Sequence, residues 1–440
     1  MPNYFITTLG CQMNKNDSER IETMLRGMGM DLAETEESAD VIVINTCSVR
    51  QTAEDRVYGF GRNFVELKKK NPGLIVCVTG CMPGRDKDSR LRSKLVGVDL
   101  YFPTKDMVYL PQWLSELNPD LRPMADLEKD YLSLKPTYQK KFQAFVTIQT
   151  GCNHFCTYCV VPFSRGLEVN RSLQTILTEV RDLAVGGCLE ITLLGQIVNH
   201  YQAPDPEHFS LGNSYQKNDF AKLLWEINAI LGIQRIHWTA PHPLYMNDEL
   251  IDALTILPKQ VNYLHLPVQS GNNEVLNRMN RRHTREFYLD IITKIKARKP
   301  NIAIGTDIIV GFSGETDEQF ADTMSLFAAC DFDISYHAKY SPRSGTVADK
   351  VFPDTVTMER KKERWWKLQV LMEETVLRKN QSYVGKTISV LIDDAKNGWC
   401  MGNSPEMKRV QCMGGEELVG TIQSVVIERA EEWILWGQRK

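Results

Sequence analysis

Apolar and polar positions alternate along this chain in a rhythm that changes twice. Asn3-Tyr-Phe-Ile-Thr-Thr-Leu9 reads as a strand, and the amphipathic stretch from Ser18 to Met28 behind it as a helix. The same unit returns at Ala39-Asp-Val-Ile-Val-Ile-Asn45, with a polar helix from Thr52 to Lys70, and again at Leu74-Ile-Val-Cys-Val-Thr79. From Ala144-Phe-Val-Thr-Ile-Gln149 onward, strands at Glu190–Leu194, Arg235–Thr239, Tyr263–Leu266, Ala303–Val310 and Asp333–Tyr336 alternate with amphipathic helices. A long helix from Thr357 to Asn380 follows. The pattern then shortens to strands at Lys386–Ile392, Leu418–Ile422, Val425–Ile427 and Trp433–Trp436.

Repeated strand and helix predict an α/β protein in three parts. An open parallel α/β domain occupies 1–125, and a parallel (β/α) barrel, whole or partial, occupies 142–378. A small antiparallel β-barrel fills 379–440. Between Gln112 and Lys141 the chain is polar, carries Pro119, Pro123 and Pro136, and has no sustained apolar period; a linker is expected at 126–141.

The length of 440 residues suits two or three cores. A formal net charge of -3 supplies no global basic field, so a polyanion must be held by local patches. Eleven cysteines, with no signal-like start and no membrane-length apolar run, point to a reducing, cytoplasmic setting and to thiolate ligands, with no membrane partner.

Two cysteine patterns stand out. Thr150-Gly-Cys-Asn-His-Phe-Cys-Thr-Tyr-Cys-Val-Val-Pro-Phe-Ser-Arg-Gly166 places Cys152, Cys156 and Cys159 in a CxxxCxxC spacing. One loop can thereby wrap three thiolates around a face of an iron-sulfur cube, and the open fourth iron can bind a small molecule and pass it an electron. Zinc is the alternative, but it favours four closed ligands in paired clusters, and no second pair lies nearby. The other pattern is dispersed: the first three strands run into Gly10-Cys11, Thr46-Cys47 and Gly80-Cys81. Strand ends share one edge of a parallel sheet, so these cysteines should meet and hold a second such group. Cys77, Cys188, Cys330, Cys400 and Cys412 read as packing.

The CxxxCxxC loop, with Tyr158 before its last cysteine, resembles the signature of the radical S-adenosylmethionine superfamily. Together with Gly10-Cys-Gln-Met-Asn14, Asn45-Thr-Cys-Ser-Val-Arg50 and Thr79-Gly-Cys81, it resembles the methylthiotransferases, and within them the tRNA-modifying MiaB branch, over nearly the whole chain. The resemblance implies a partial barrel of the radical S-adenosylmethionine type and a C-terminal TRAM domain. It also implies two [4Fe-4S] clusters, on Cys152, Cys156 and Cys159 and on Cys11, Cys47 and Cys81, with S-adenosylmethionine as both methyl donor and radical source.

The implied reaction puts a methylthio group on C2 of N6-isopentenyladenosine at position 37 of tRNA. The implied partners are the tRNA anticodon stem-loop and a low-potential electron donor such as flavodoxin or ferredoxin, with the enzyme a monomer. Substrate alternatives are a ribosomal-protein aspartate and N6-threonylcarbamoyladenosine in tRNA; a non-catalytic iron-sulfur or zinc protein is the third class.

For cofactor contacts the resemblance points to Tyr158, to Gly187 and Glu190 in Gly186-Gly-Cys-Leu-Glu190, and to Gln196 in Gly195-Gln-Ile-Val-Asn199. It adds Asp307, with the turn Gly311–Glu315 nearby. Ile197 departs from the family's Asn, and the Gly-Gly segment departs from a tighter Gly-Gly-Glu. His265 and Gln269 also sit at a strand end. Arg278, Arg281, Arg282 and Arg285, and the run Arg360, Lys361, Lys362 and Arg364 into Trp365-Trp366, are candidates for gripping RNA.

Overall fold

The computed structural model describes residues 1–48, 51–121 and 130–440. Val49 and Arg50 of the Asn45–Arg50 motif, and 122–129 with the expected domain boundary and the start of the linker, lie outside the described residues.

The first part is a five-stranded parallel sheet of β1 (Asn3–Leu9), β2 (Asp31–Leu32), β3 (Val41–Thr46), β4 (Ile75–Gly80) and β5 (Leu100–Pro103), in the order β2-β1-β3-β4-β5. Every residue of β3 and β4 is buried, as expected where both faces are covered. Their side chains alternate between two cores. Val41, Val43 and Ile75 face one with Ile21, Met24 and Leu114, while Ile42, Ile44, Val76 and Val78 face the other with Val57, Phe64 and Leu67. The helices are α1 (Gln12–Gly27), α2 (Gln51–Lys70), the short α3 (Cys81–Arg85) and α4 (Leu110–Leu117).

Part of the stretch read as a polar linker is packed. Pro111 enters α4 in its first turn, where its missing N–H costs nothing, and Leu110 and Leu114 are buried. Beyond the undescribed residues, Tyr131, Leu132 and Leu134 join the first core. The buried Arg20 donates to the Tyr131 and Leu134 carbonyls, and the Tyr131 hydroxyl donates to Asp17 at 2.6 Å. Sparse apolar positions hid this strap, because backbone carbonyls and one tyrosine do the docking.

The middle part holds two three-stranded parallel sheets: β6 (Gln143–Thr147), β9 (Glu190–Leu194) and β10 (Arg235–Trp238), then β11 (Tyr263–His265), β12 (Ala303–Val310) and β13 (Ile334–Lys339). Parallel bridges Ile236↔Gln260 and Gln269↔Ile308 extend the pairing, giving the expected partial barrel. A two-residue pair, β7 (Gln149–Thr150) with β8 (Val169–Asn170), closes the base of the CxxxCxxC loop, and α5 (Val161–Arg165) lies inside that loop.

The C-terminal part is a closed barrel of β14 (Thr387–Lys396), β15 (Trp399–Asn403), β16 (Arg409–Met413), β17 (Ile422–Ala430) and β18 (Leu435–Arg439), in the order β14-β15-β16-β18-β17. It corrects the antiparallel expectation at one seam, because β16 and β18 pair in parallel. Residues 418–422 are also no strand of their own: a single helical turn at Glu416–Leu418 leads into β17. Arg235, at the start of β10, fastens this barrel to the middle part by donating to the Asn403 and Ser389 carbonyls at 2.9 and 3.1 Å.

Candidate functional site

The register of the first sheet brings the dispersed cysteines together. Leu9 lies opposite Thr46, and Thr46 opposite Gly80, so Cys11, Cys47 and Cys81 leave adjacent strands within one residue of the same level. The Cys47 N–H donates to the Leu9 carbonyl at 2.7 Å. The glycines before Cys11 and Cys81 are required by close approach. A β-carbon at Gly10 would meet Asn14 Oδ1 at 2.2 Å, and at Gly80, where φ is 103°, it would meet the Thr46 carbonyl oxygen at 2.3 Å. Asn14 and Asn45 lock to each other, through Asn14 Nδ2 to Asn45 Oδ1 at 3.0 Å and Asn45 Nδ2 to the Asn14 carbonyl at 2.7 Å. Both the Cys11 N–H and its thiol point to Asn14 Oδ1, at 3.3 and 3.4 Å.

Charge surrounds this triad. Arg165, from the other cysteine loop, pairs with Asp17 at 2.6 Å with both side chains buried, and its Nη1 has no hydrogen-bond partner. Burial works against the Arg165 charge, but Asp17 and then Cys81 hold its pKa well above the ordinary guanidinium value. Burial pushes the Cys11 thiol up; Arg165 pulls it down and Cys81 pushes it up again. On the far side the buried Glu54 accepts from Ser48 and pairs with Arg85 at 2.8 Å, and Arg343 stands close enough to Cys47 for their charges to interact.

The second triad is local. Its loop is pinned at the neck by the Cys152 N–H to the Gly166 carbonyl at 3.1 Å, and at Gly151, φ 75°, a β-carbon would lie 1.9 Å from the Leu167 carbonyl oxygen. Thr157 ties it to the Met279 and Arg278 carbonyls, at 3.1 and 2.8 Å. Sulfur acceptors are already met by donors: the His154 N–H reaches Cys152 Sγ and the Val161 N–H reaches Cys159 Sγ, both at 3.4 Å, and Arg281 Nη1 reaches Cys156 Sγ at 3.6 Å. Burial pushes the Cys152 thiol up to about 11 and Cys159 to about 12, with neighbouring cysteines adding to the rise.

Among the described residues no three His, Cys, Asp or Glu side chains close on one point as ligands of a single metal ion would. A cube asks for something different, one thiolate on each of three separate irons. Three cysteines on one loop, facing a guanidinium and two amide N–H groups, fit that demand.

The two triads are neighbours. Helix α3, which begins at Cys81, packs against α5, which follows Cys159, and Gly84 lies directly against the Ser164 backbone. The CxxxCxxC loop follows β6 and β7, on the carboxyl side of the barrel strands. Gln196, just past the end of β9, shares that side, and the Ile197 N–H donates to Gln149 Oε1 at 3.2 Å. Tyr158 lies edge-on to Phe312, and burial, against the pull of Arg281, drives its hydroxyl pKa well up. Asp307 lies 3.3 Å from His265 Nε2, and the Tyr263 hydroxyl is 3.3 Å from His265 Nδ1, a hydrogen-bonded row along β11 and β12.

Gly187 and Glu190 do not share the site, which corrects two expected cofactor contacts. Both precede or begin β9, at the amino end of the strand. Gly187, φ 89°, ends the helix Leu173–Val185, its N–H returning to the Ala184 carbonyl. Glu190 accepts from Gln143 Nε2 at 2.8 Å and stands 3.7 Å from Arg235, against the C-terminal barrel. The Gly-Gly pair signals a helix stop.

Most candidate RNA-gripping cations are structural. Lys361 reaches the Tyr340 carbonyl at 3.1 Å, Arg364 pairs with the buried Glu315 at 2.8 Å, and Arg285 donates to the Gly271 and Asp322 carbonyls. Trp366 remains exposed, with Trp365 tucked against His337. Sequence reasoning missed the particular roles of Arg281, Arg165 and Asp17. Arg281 was in view only as one of a basic run, whose signal is the same for buried and surface arginines.

Comparison with known proteins follows this geometry. The Radical SAM superfamily matches residues 146–327, and the uncharacterized protein family UPF0004 matches 3–103. A tRNA-2-methylthio-N(6)-dimethylallyladenosine synthase of Thermoanaerobacter sp. (strain X514) is 40% identical, covering 99% of this chain and 92% of its own. One of Clostridium botulinum (strain Hall / ATCC 3502 / NCTC 13319 / Type A) is 39% identical over 99% and 96%. Among solved structures, the radical S-adenosylmethionine methyltransferase TsrM from Kitasatospora setae superposes with a TM-score of 0.55 at 13% identity, covering 77% of this chain and 73% of that one. The cobalamin-dependent S-adenosylmethionine radical enzyme OxsB gives 0.52 at 12% identity, over 86% and 56%. Those two likenesses concern the fold alone.

Proposed function

The chain belongs to the family of tRNA-2-methylthio-N(6)-dimethylallyladenosine synthases, radical S-adenosylmethionine enzymes that use a [4Fe-4S] cluster, and from that premise we propose how its residues divide the work. Cys152, Cys156 and Cys159 hold the [4Fe-4S] cluster that meets S-adenosylmethionine, and Cys11, Cys47 and Cys81 hold a second. When bound, the first would supply an electron for reductive cleavage of S-adenosylmethionine, chemistry able to reach an inert aromatic carbon-hydrogen bond, and the second would supply sulfur for the methylthio group.

This chain's own residues set the stage for both. Gly151 and the Cys152 to Gly166 bond fix the local loop, the Asn14–Asn45 pair fixes the level of the dispersed cysteines, and Arg165 and Arg281 lay positive charge beside each thiol triad. Tyr158 lies beside the cysteine loop, edge-on to Phe312, and Asp307 and His265 offer a polar wall for the adenosyl group or the substrate base. The nucleotide must leave the anticodon-loop stack to reach this wall. A low-potential flavodoxin or ferredoxin serves as electron donor to a monomeric enzyme in a reducing compartment; among the described residues no helix is long and apolar enough to cross a membrane.

The observation that supports this reading is the contact of α3 with α5, which rests the turn after Cys81 on the turn after Cys159. The test is anaerobic incubation of iron- and sulfide-reconstituted protein with S-adenosylmethionine, reductant and three substrates. These are an anticodon stem-loop bearing N6-dimethylallyladenosine, one bearing N6-threonylcarbamoyladenosine, and a ribosomal-protein peptide with an accessible aspartate. Methylthiolation of the first alone is expected; modification only of either other substrate would sink the assignment.

A further inference from the structure

Arg281 and Arg20 are the buried arginines without an ion-paired carboxylate among the described residues, and Arg281 is the one that faces a cysteine. Its guanidinium is buried, with Nη2 donating to the Pro267 carbonyl at 3.0 Å and Nη1 to Cys156 Sγ at 3.6 Å, while Nε has no partner. Among the described residues it forms no ion pair with an Asp or Glu, unlike the buried Arg85, Arg165, Arg171 and Arg364, each of which has a carboxylate within 2.9 Å.

A buried cation without a counter-ion is strongly destabilising. With no carboxylate against it among the described residues, this guanidinium faces the cysteine loop, Nη1 lying 3.6 Å from Cys156 Sγ. Three neutral thiols do not balance it. Three thiolates on an iron-sulfur cube do, and reduction adds one more negative charge beside the guanidinium.

We infer that Arg281 is a positioning residue for the radical-generating centre: it is the built-in counter-charge of the Cys152, Cys156 and Cys159 group and eases entry of the electron by stabilising the reduced, more negative state. This rests on the reading that those cysteines hold a cluster. The step is a one-electron reduction in which the external reductant is oxidised by one electron and no bond of the protein forms or breaks. Hydrogen bonds and charge at ligating sulfurs are among the terms that set such potentials.

The experiment compares Arg281→Met and Arg281→Lys with the unsubstituted residue in full-length protein carrying Cys47→Ala, which leaves one cluster to titrate. Each is reconstituted anaerobically, assayed for iron and titrated with dithionite while the reduced cluster is followed by electron paramagnetic resonance. With Met, the ratio of reduced to oxidised cluster at the parent's midpoint should fall about tenfold or more, a lowering of about 59 mV for a one-electron couple. Lys, which keeps the charge, should recover most of the loss. A normal iron content with an unmoved midpoint in the Met variant would overturn the assignment.

Should the Met variant fail to load iron, unfolding of iron-free proteins decides. Iron-free Arg281→Met should be at least as stable as iron-free parent, because the uncompensated charge is gone; a clear loss of stability marks Arg281 as packing only and overturns the idea. If the parent itself binds no iron in Cys152, Cys156 and Cys159, the cluster reading falls and this inference with it.

Discussion

A β-carbon at Gly84 would lie 2.1 Å from the carbonyl oxygen of Ser164, so the turn after Cys81 rests directly on the turn after Cys159. Any side chain at position 84 must push the two cysteine-bearing turns apart. Gly84→Val should therefore leave S-adenosylmethionine cleavage nearly intact while methylthio transfer falls about a hundredfold, the size of loss a small misplacement of reacting groups can cause. Measuring 5′-deoxyadenosine and modified nucleoside in one reaction checks this; equal losses of both would contradict it.

The cysteine triads predict separable defects. Cys156→Ala should abolish 5′-deoxyadenosine formation yet retain iron at the dispersed triad. Cys47→Ala should retain S-adenosylmethionine cleavage and lose sulfur insertion. Iron content per chain, set beside the two product yields, distinguishes this from a single shared centre, for which the two variants would behave alike.

Asp17 and Arg165 form a buried pair, 2.6 Å apart, that joins α1 to the end of α5, with the Tyr131 hydroxyl as a second donor to Asp17. Removing either partner strands the other charge. Arg165→Met and Asp17→Asn should each cost about 3–5 kcal/mol, and the double variant should lose less than the sum. Urea unfolding of the four proteins measures the coupling.

Glu19 introduces a pH dependence. Burial raises its carboxyl pKa to about 7, against the pull of Asn16, so the folded protein holds this proton more tightly than the unfolded chain does. Between pH 4.5 and about 7 the native state binds the extra proton, and stability must fall as pH rises through that window. The full cost, at most roughly 3 kcal/mol, is present above it. Glu19→Gln should flatten this decline and be the more stable protein at pH 8, as denaturant midpoints taken from pH 5 to 8 would show.

Glu190 lies at the amino end of β9, facing Gln143 and Arg235. Glu190→Gln should leave the apparent KM for S-adenosylmethionine unchanged within about twofold and lower the unfolding midpoint modestly, in keeping with loss of a partly buried ion pair. A large rise in KM would return this residue to the cofactor site.

What the sequence revealed followed from local rules. Strands that end in cysteine three times over announce a shared edge, because parallel strands rise together, and the CxxxCxxC loop announces itself without any fold. Gly187 and Glu190 went astray because a glycine pair looks alike before and after a strand; only the strand's polarity tells which side faces the site. Strands β15 and β16 were passed over because their buried positions, Cys400, Gly402, Val410 and Cys412, alternate with Trp399, Met401 and Met413 as well as with polar residues, which blurs the period, and because the parallel seam to β18 is non-local. Arg281 was hidden for a deeper reason: a charge's burial depends on what folds over it, and nothing in a run of arginines records that.

The level shared by Leu9, Thr46 and Gly80 has a consequence for biogenesis. Residues 152–159 can grasp a nascent cofactor as soon as eight residues of chain are free, whereas Cys11, Cys47 and Cys81 become one pocket only when strands tens of residues apart have aligned. On the proposed reading, any iron held by Cys11, Cys47 and Cys81 has to wait for that sheet to close.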